Sequence, residues 1–197
     1  YFQAASKIDF RDEEIRRARS LLEAIRKNTQ AVVLQSNYVL PLESLFGQLD
    51  AKMESSLYRI VQEVNVTLSN ITREYNGLFL CDVDRLASAS GRKNFLDDTL
   101  WCHSKSPCAL DFLPYFAQLI VDLVVALKSR TVKCVVLDLD NTLWGGVIGD
   151  DGLEGIALGH LGEGEAYVEF QQYLLELKNR GIILAVCSKN DQEIAKT

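Results

Sequence analysis

The chain has 197 residues, room for one large domain or two small ones, and its 48% hydrophobic and 24% charged content is globular composition that excludes wholesale disorder. The longest apolar run, residues 119–127, is interrupted by Asp122 and falls well short of the ~18 residues a membrane span needs. The net charge of −6 is lopsided. Residues 1–130 carry 16 basic and 16 acidic side chains, and residues 131–197 carry 5 and 11. An acidic C-terminal third repels nucleic acid and lipid headgroups, and it suits a hard cation where its carboxylates converge.

Tyr1-Phe2-Gln3 reads as the remnant of a protease-cleavable purification tag, and nothing that follows reads as a signal peptide. Residues 11–28 predict an amphipathic helix. Ile15, Ala18, Leu22 and Ile25 share one face, acids lead, and Arg26 and Lys27 close it as the helix dipole prefers. Residues 31–40 are short and β-branched and end at Pro41, a strand or extended link. A second helix is expected over 49–73 on the stripe Leu57, Ile60, Val61, Val64, Leu68 and Ile71. Residues 77–81 read as a buried strand and 84–108 as an irregular, functional or mobile loop; a helix over 110–129, apolar nearly all round, is expected to be buried.

After residue 131 the pattern changes to strand, helix, strand. Residues 132–137 are apolar except for Lys133 near the start, as in a parallel strand covered on both faces. Residues 147–158 read as a small hairpin around Asp151-Gly152. Residues 163–180 read as a helix with Tyr167, Phe170, Leu174 and Leu177 inward, stopped by Gly181, and residues 182–187 as a second buried strand. The fold class is therefore α/β, a parallel sheet with flanking helices, preceded by an N-terminal α/β segment.

Cysteines 81, 102, 108, 134 and 187 are odd in number and scattered, which argues against a disulfide framework or a structural zinc site and for a reducing, cytoplasmic compartment. Cys134 and Cys187, within the two C-terminal strands, read as core residues. His103 and His160 read as loop histidines.

Parallel strands joined by a crossover end on one edge of the sheet, where open α/β sheets bind ligands. At those two ends stand Asp138-Leu139-Asp140-Asn141-Thr142 and Ser188-Lys189-Asn190. In extended chain Asp138 and Asp140 point the same way. Two carboxylates facing one small space repel unless a proton or a cation intervenes; Mg²⁺ resolves that and favours phosphate. Backbone N–H groups of the turn through Leu139, Asn141 and Thr142 could form an anion nest, Ser188 could donate from the neighbouring strand, and Lys189 could add charge. Phosphoryl transfer fits: Asp138 as nucleophile forming an aspartyl-phosphate, Asp140 as acid and then base, and Mg²⁺ screening the charge. A calcium EF-hand also opens Asp-x-Asp, but its sixth and twelfth positions would be Leu143 and Gly149 instead of Gly and Glu. Cys81-Asp82-Val83-Asp84 is a decoy: Arg85 and Leu86 follow, and Asp82 and Asp84 read as strand-end and helix-start residues.

The stretch Asp138-Leu139-Asp140-Asn141-Thr142-Leu143-Trp144-Gly145-Gly146 resembles the first motif of the haloacid dehalogenase (HAD) phosphatase superfamily. Continued through Val147-Ile148-Gly149-Asp150-Asp151-Gly152, and with Val186-Cys187-Ser188-Lys189-Asn190-Asp191, it is similar to the FkbH-like, subfamily IIIC branch. The resemblance implies Asp138 as nucleophile, Asp140 as acid/base and Ser188 as second-motif phosphate ligand. It also implies Asp138 and the backbone carbonyl of Asp140 as Mg²⁺ ligands, residues 145–158 as a flap, and no large cap. An open site of that kind suits a phosphorylated small molecule or a carrier-protein-borne substrate. The resemblance further implies a third-motif Lys and a fourth-motif acid beyond Ser188; with the chain stopping at Thr197, the expectation is a truncated HAD domain over 131–197 whose full activity needs a longer protein. Residues 78–86 and 101–116 resemble the segment that precedes the HAD domain in FkbH-like proteins, itself similar to the end of an SGNH-hydrolase fold. An esterase site there is unsupported, because Asp98 is followed at the signature spacing by Trp101 instead of His and no Gly-Asp-Ser block stands near the start.

Three functions are thus expected in order: a Mg²⁺-dependent phosphatase; an acyl-loading transferase that dephosphorylates a phosphoglycerate-type substrate and passes the acyl group to a carrier thiol, with Cys187 the thioester candidate; and a HAD-derived binding module without turnover.

Overall fold

Helical spacing of apolar residues sets up the first part of the chain, seen in a computed structural model that describes residues 7–128 and 131–190. The tag-remnant reading of residues 1–3 and the motif residue Asp191 lie outside the described residues. Two units divide between Lys128 and Ser129.

In the first unit, α1 (Lys7–Asn28) packs on α2 (Leu57–Glu74), and two strands, β1 (Val33–Ser36) and β2 (Leu78–Cys81), pair in parallel with Val33 opposite Leu78 and Ser36 opposite Cys81. Leu22, Ile71 and Leu78 are buried together, with Ile15, Val33 and Tyr75 against them. Each such side chain stabilises the fold by roughly 1.5–3 kcal/mol. The predicted stripe of α2 is buried at Ile60, Val61, Val64, Leu68 and Ile71, while Leu57 is half-buried. The helix starts later than the spacing suggested, because a 3₁₀ turn (Gly47–Lys52) and the buried Ser56, bonded to Asp50 at 2.9 Å, precede it.

Residues 83–104 are three short helices, not an irregular loop: α3 (Val83–Ser90), α4 (Arg92–Phe95) and α5 (Asp98–Ser104). The Ser/Asp-rich composition that read as loop supplies their caps. The Asp82 carboxylate accepts from the Arg85 N–H (3.1 Å) and that of Asp97 from the Leu100 N–H (2.9 Å). Asp84 pairs with Arg92 at 3.1 Å through both oxygens, so the decoy acids are structural, as read. A cluster of Cys81, Val83, Ala87, Phe95 and Cys108 forms the core here.

A 3₁₀ turn (Leu110–Phe112) leads into α6 (Leu113–Leu127). Contrary to expectation, none of its residues is buried: Phe116, Leu119, Ile120 and Leu123 lie against the cluster, but Tyr115, Val121, Val124 and Val125 are exposed. The cluster from β2 and the short helices packs on one face of it only. Counted as a window that tolerates Asp111 and Asp122, Leu110–Leu127 spans 18 residues at mean hydropathy 1.8 and is, contrary to the reading from the uninterrupted run alone, long and apolar enough to cross a membrane by length and composition.

In the second unit, β3 (Cys134–Leu137) and β4 (Ile183–Val186) pair in parallel, Cys134 opposite Ile183 and Leu137 opposite Val186. Between them run α7 (Ile148–Gly155) and α8 (Glu163–Asn179). Gly181, at φ 90°, ends α8 with the expected left-handed cap: its N–H bonds the Lys178 carbonyl (2.8 Å) and the Ile182 N–H that of Leu177 (3.1 Å). Leu174 is buried and Tyr167 and Leu177 are half-buried, but Phe170 is exposed. The strands are not covered on both faces: Val136 and Ile183 are each 64% exposed, and Cys134 and Cys187 are exposed too. Two strands and two helices are too little structure to sandwich a sheet. The hairpin reading of 147–158 is replaced by α7, kinked at Gly152, whose flanks meet in a single antiparallel bridge between Gly145 and Ala157. All five cysteines are free.

Candidate active site

The pairing of β3 with β4 brings both sequence motifs to one edge. Leu137 faces Val186, and the Cys187 N–H bonds the Leu137 carbonyl at 2.8 Å, so the chain leaves both strands side by side at Asp138 and Ser188. Leu139 is buried and anchors the loop between the two acids.

Asp138 is exposed, and its Oδ1 accepts only the N–H of Leu139 (2.8 Å); Oδ2 has no partner among the described residues. Asp140 is half-buried and tightly held. Its Oδ1 accepts both the indole Nε1–H of Trp144 (3.0 Å) and the N–H of Ile148 at the start of α7 (3.1 Å). Burial pushes its pKa upward, but the Ile148 N–H, the Asn190 amide and the Trp144 indole together outweigh it and hold the carboxyl below its ordinary value. Asn190 Nδ2 is buried beside Asp140, close enough to stabilise its charge yet without a hydrogen bond of good geometry.

The loop closes on itself. Asn141 takes a left-handed φ of 52°, which Asn tolerates better than most residues. Its N–H donates to the Gly146 carbonyl (3.2 Å) and its Oδ1 accepts the Gly146 N–H (2.9 Å). The Thr142 and Leu143 N–H groups bond the Leu139 carbonyl (3.1 and 2.8 Å). The anion nest expected from Leu139, Asn141 and Thr142 is therefore not open: those three N–H groups are satisfied within the loop, and Asn141 serves as a loop clasp. Ser188 Oγ accepts the Asn190 N–H (3.2 Å), which leaves its own proton available, and Lys189 is exposed.

Sequence reasoning missed the parts that fix Asp140. Trp144 lies four residues on, and an indole N–H that needs an acceptor beside a carboxylate was the available signal. Asp151 was also missed: its Oδ2 accepts the Val147 N–H (2.8 Å) and pins the start of α7. Gly145 is required there, because a Cβ would stand 2.9 Å from the Tyr167 ring and 3.0 Å from Ala157. Gln171 of α8 ties the loop from the other side through the Leu143 carbonyl (2.7 Å). His160 is exposed, as a loop histidine should be; His103, read as a loop residue, lies exposed on α5 beside the exposed Cys102.

Among the described residues no group of three or more His, Cys, Asp or Glu side chains converges. What the loop offers a metal is two carboxylates and backbone carbonyls, an all-oxygen set. That fits an ion such as Mg²⁺, which binds through one or two carboxylates and keeps its waters.

A parallel α/β sheet with an acid pair at one strand end and a hydroxyl at the next defines a HAD-like protein. The comparisons narrow this further. The family described as FkbH, N-terminal domain, matches residues 1–125, and the chain belongs to that family. The match falls on the first unit, where the motif resemblance was looser. In the crystal structure of the N-terminal part of the protein BF1531 from Bacteroides fragilis, containing a phosphatase domain and complexed with Mg, a chain 35% identical superposes with a TM-score of 0.87. The alignment covers 99% of this chain and 51% of that one, so this chain spans about half its length. No curated protein matches.

Proposed function

We propose that residues 131–197, within the second unit, are the phosphoryl-transfer part of a HAD-type phosphatase, with Asp138 as nucleophile and Asp140 as acid/base. The observation that carries this reading is the contrast between the two acids: Asp138 is exposed with one carboxylate oxygen free, and Asp140 is clamped through Oδ1 alone.

Asp138 Oδ2 attacks phosphorus in line; Asp140, ionised in the free protein, takes a proton on Oδ2 from the bound phosphate monoanion and passes it to the leaving oxygen as the bond to phosphorus breaks. A water then attacks the aspartyl-phosphate, Asp140 takes its proton, and the phosphorus–Asp138 bond breaks to release inorganic phosphate. The Trp144 and Ile148 donors fix which oxygen carries that proton. Ser188 Oγ donates to a non-bridging phosphate oxygen, and Lys189 adds positive charge at the mouth. Mg²⁺, the ion in the Bacteroides fragilis structure, would be held by Asp138 and the Asp140 carbonyl and would screen the nucleophile from the phosphate charge. A short flap at 145–158, with no large cap inserted there, suits a phosphorylated small molecule or a substrate carried on a protein. The first unit, in this reading, is a degenerate SGNH-hydrolase-like segment.

The test is turnover of an aryl phosphate with Mg²⁺ by the parent protein and by Asp138→Asn. Loss of turnover in the variant is expected; equal rates in both remove Asp138 as nucleophile.

One observation favours a second reading, acyl transfer to a carrier thiol. Cys187, expected in the core, is exposed and adjoins Ser188. Intact-mass detection of an acylated protein, lost in Cys187→Ser, would support it, and an unchanged acyl adduct in that variant would exclude this thiol.

A further inference from the structure

Among α1, the segment after β1, the start of α2 and α5 lies a cavity of about 630 Å³, within the size range of small-molecule sites. It belongs wholly to the first unit and shares no residue with the Asp138 site. Its walls are apolar and aromatic, formed by Phe10, Tyr38, Pro41, Leu57, Val61 and Trp101. Tyr38 stands two residues beyond the carboxyl end of β1, the side of a parallel pair on which ligand crevices form.

The polar groups around it are unevenly committed. Glu14 is engaged: its Oε2 accepts the Tyr38 hydroxyl at 2.7 Å, Arg17 lies 3.6 Å from its Oε1, and its side chain is only 16% exposed. Burial first, and the Glu14 carboxylate second, push the Tyr38 phenol up to about 12, so it remains a donor to Glu14 at any physiological pH. The uncommitted groups are donors. Arg17 is 77% exposed, and beyond its 3.6 Å approach to Glu14 its remaining N–H groups have no partner among the described residues. The Trp101 indole N–H has no hydrogen-bond partner among the described residues, and the Lys105 ammonium stands 5.1 Å over the Trp101 ring. A cavity whose acceptor is occupied and whose donors are free selects an anion, and its aromatic walls select an apolar body.

We propose that this cavity binds a small apolar acid, its ring or chain against Phe10, Leu57 and Val61 and its carboxylate on Arg17 and the Trp101 N–H. An amine of the same shape is disfavoured, because the one carboxylate here takes the Tyr38 hydroxyl on Oε2 and has the Arg17 charge 3.6 Å from Oε1.

The experiment titrates the isotope-labelled chain with naphthoate and, separately, with naphthylmethylammonium, following the two indole N–H resonances of Trp101 and Trp144. Naphthoate is expected to shift the Trp101 signal and saturate below about 1 mM, with the ammonium compound at least about tenfold weaker. The Trp144 signal stays in place. Arg17→Glu, at an exposed position that the fold does not depend on, reverses the order of the two ligands. Equal affinities, an order unchanged by Arg17→Glu, a shift confined to Trp144, or failure of naphthoate to saturate would each overturn the proposal.

Discussion

The indole of Trp144 donates to Oδ1 of Asp140 over 3.0 Å, and in the proposed mechanism this bond leaves the proton to Oδ2. With the Ile148 N–H on the same atom, Oδ2 is the one left to face a reacting group. Trp144→Phe keeps the ring's bulk and removes only the donor. A hydrogen bond to a charged group is worth about 1.5–3 kcal/mol, and in-line chemistry is sensitive to small misplacements. We expect kcat on an aryl phosphate to fall about tenfold or more, with KM changed less than about threefold. A rise in KM at constant kcat would instead make Trp144 a substrate contact.

The flap base gives a paired prediction in two glycines. At Gly145 a Cβ meets Tyr167 at 2.9 Å and Ala157 at 3.0 Å, whereas at Gly149, within α7, nothing lies within 4 Å. Neither has a positive φ, so the contrast is purely steric. Gly145→Ala is expected to destabilise by about 1–3 kcal/mol. Gly149→Ala is expected to stabilise by about 0.5–1 kcal/mol through a less flexible unfolded chain. Denaturant midpoints of the two variants measure both, and the same sign for both would show that the flap does not pack on α8 as described.

These contacts mark where the sequence was legible and where it was not. Strand, helix, strand and the Asp138–Ser188 juxtaposition followed from local patterns: an apolar run, a 3.6 period and a Gly stop at 181. The helices over 83–104 did not, because Ser and Asp serve caps and loops alike, and it is the burial of Val83, Ala87 and Phe95 in one cluster that shows α3 and α4 folded around a core. The clasp of Asn141 on Gly146 was also hidden. It depends on a left-handed residue whose partner lies five positions away, and no periodicity reports that. The burial expected for α6 and for Val136 failed for a simpler reason: composition shows that a face is apolar, not how much structure is present to cover it.

The α1–α2 contact sets an acid limit on the first unit. Glu63 is bonded by Arg59 and Arg11, and Glu74 by both arms of Arg19; these bonds hold both carboxyls below their ordinary value of 4.5. Depressed folded-state values mean that the unfolded chain binds protons first. The stabilisation is present above pH 4.5 and is lost as pH falls through the lower folded-state values. Both pairs are solvent-exposed, so the effect is modest and weakens with salt. Thermal midpoints are expected to drop between about pH 5 and pH 3, less steeply in Arg11→Met/Arg19→Met. An identical slope in that double variant would place the acid sensitivity elsewhere.

The cysteines sort by exposure into two classes that alkylation can separate. Cys102, Cys134 and Cys187 are exposed; Cys81 and Cys108 are 2% and 1% exposed. Burial raises the thiol pKa of both. For Cys81 the Asp82 charge adds to the rise and a bond with Ser36 partly offsets it. Since the thiolate is the reactive form, these two are protected twice, by access and by ionisation. With iodoacetamide at mildly alkaline pH, peptide mapping should show three fast sites and two that react only after denaturant is added. Fast labelling of Cys134 and Cys187 would confirm that the β3–β4 sheet is open in solution. Their protection would mean that the face carrying Val136 and Ile183 is covered there, by a second copy of the chain or by a further segment. A concentration series separates these, since only a second copy makes the protection depend on protein concentration.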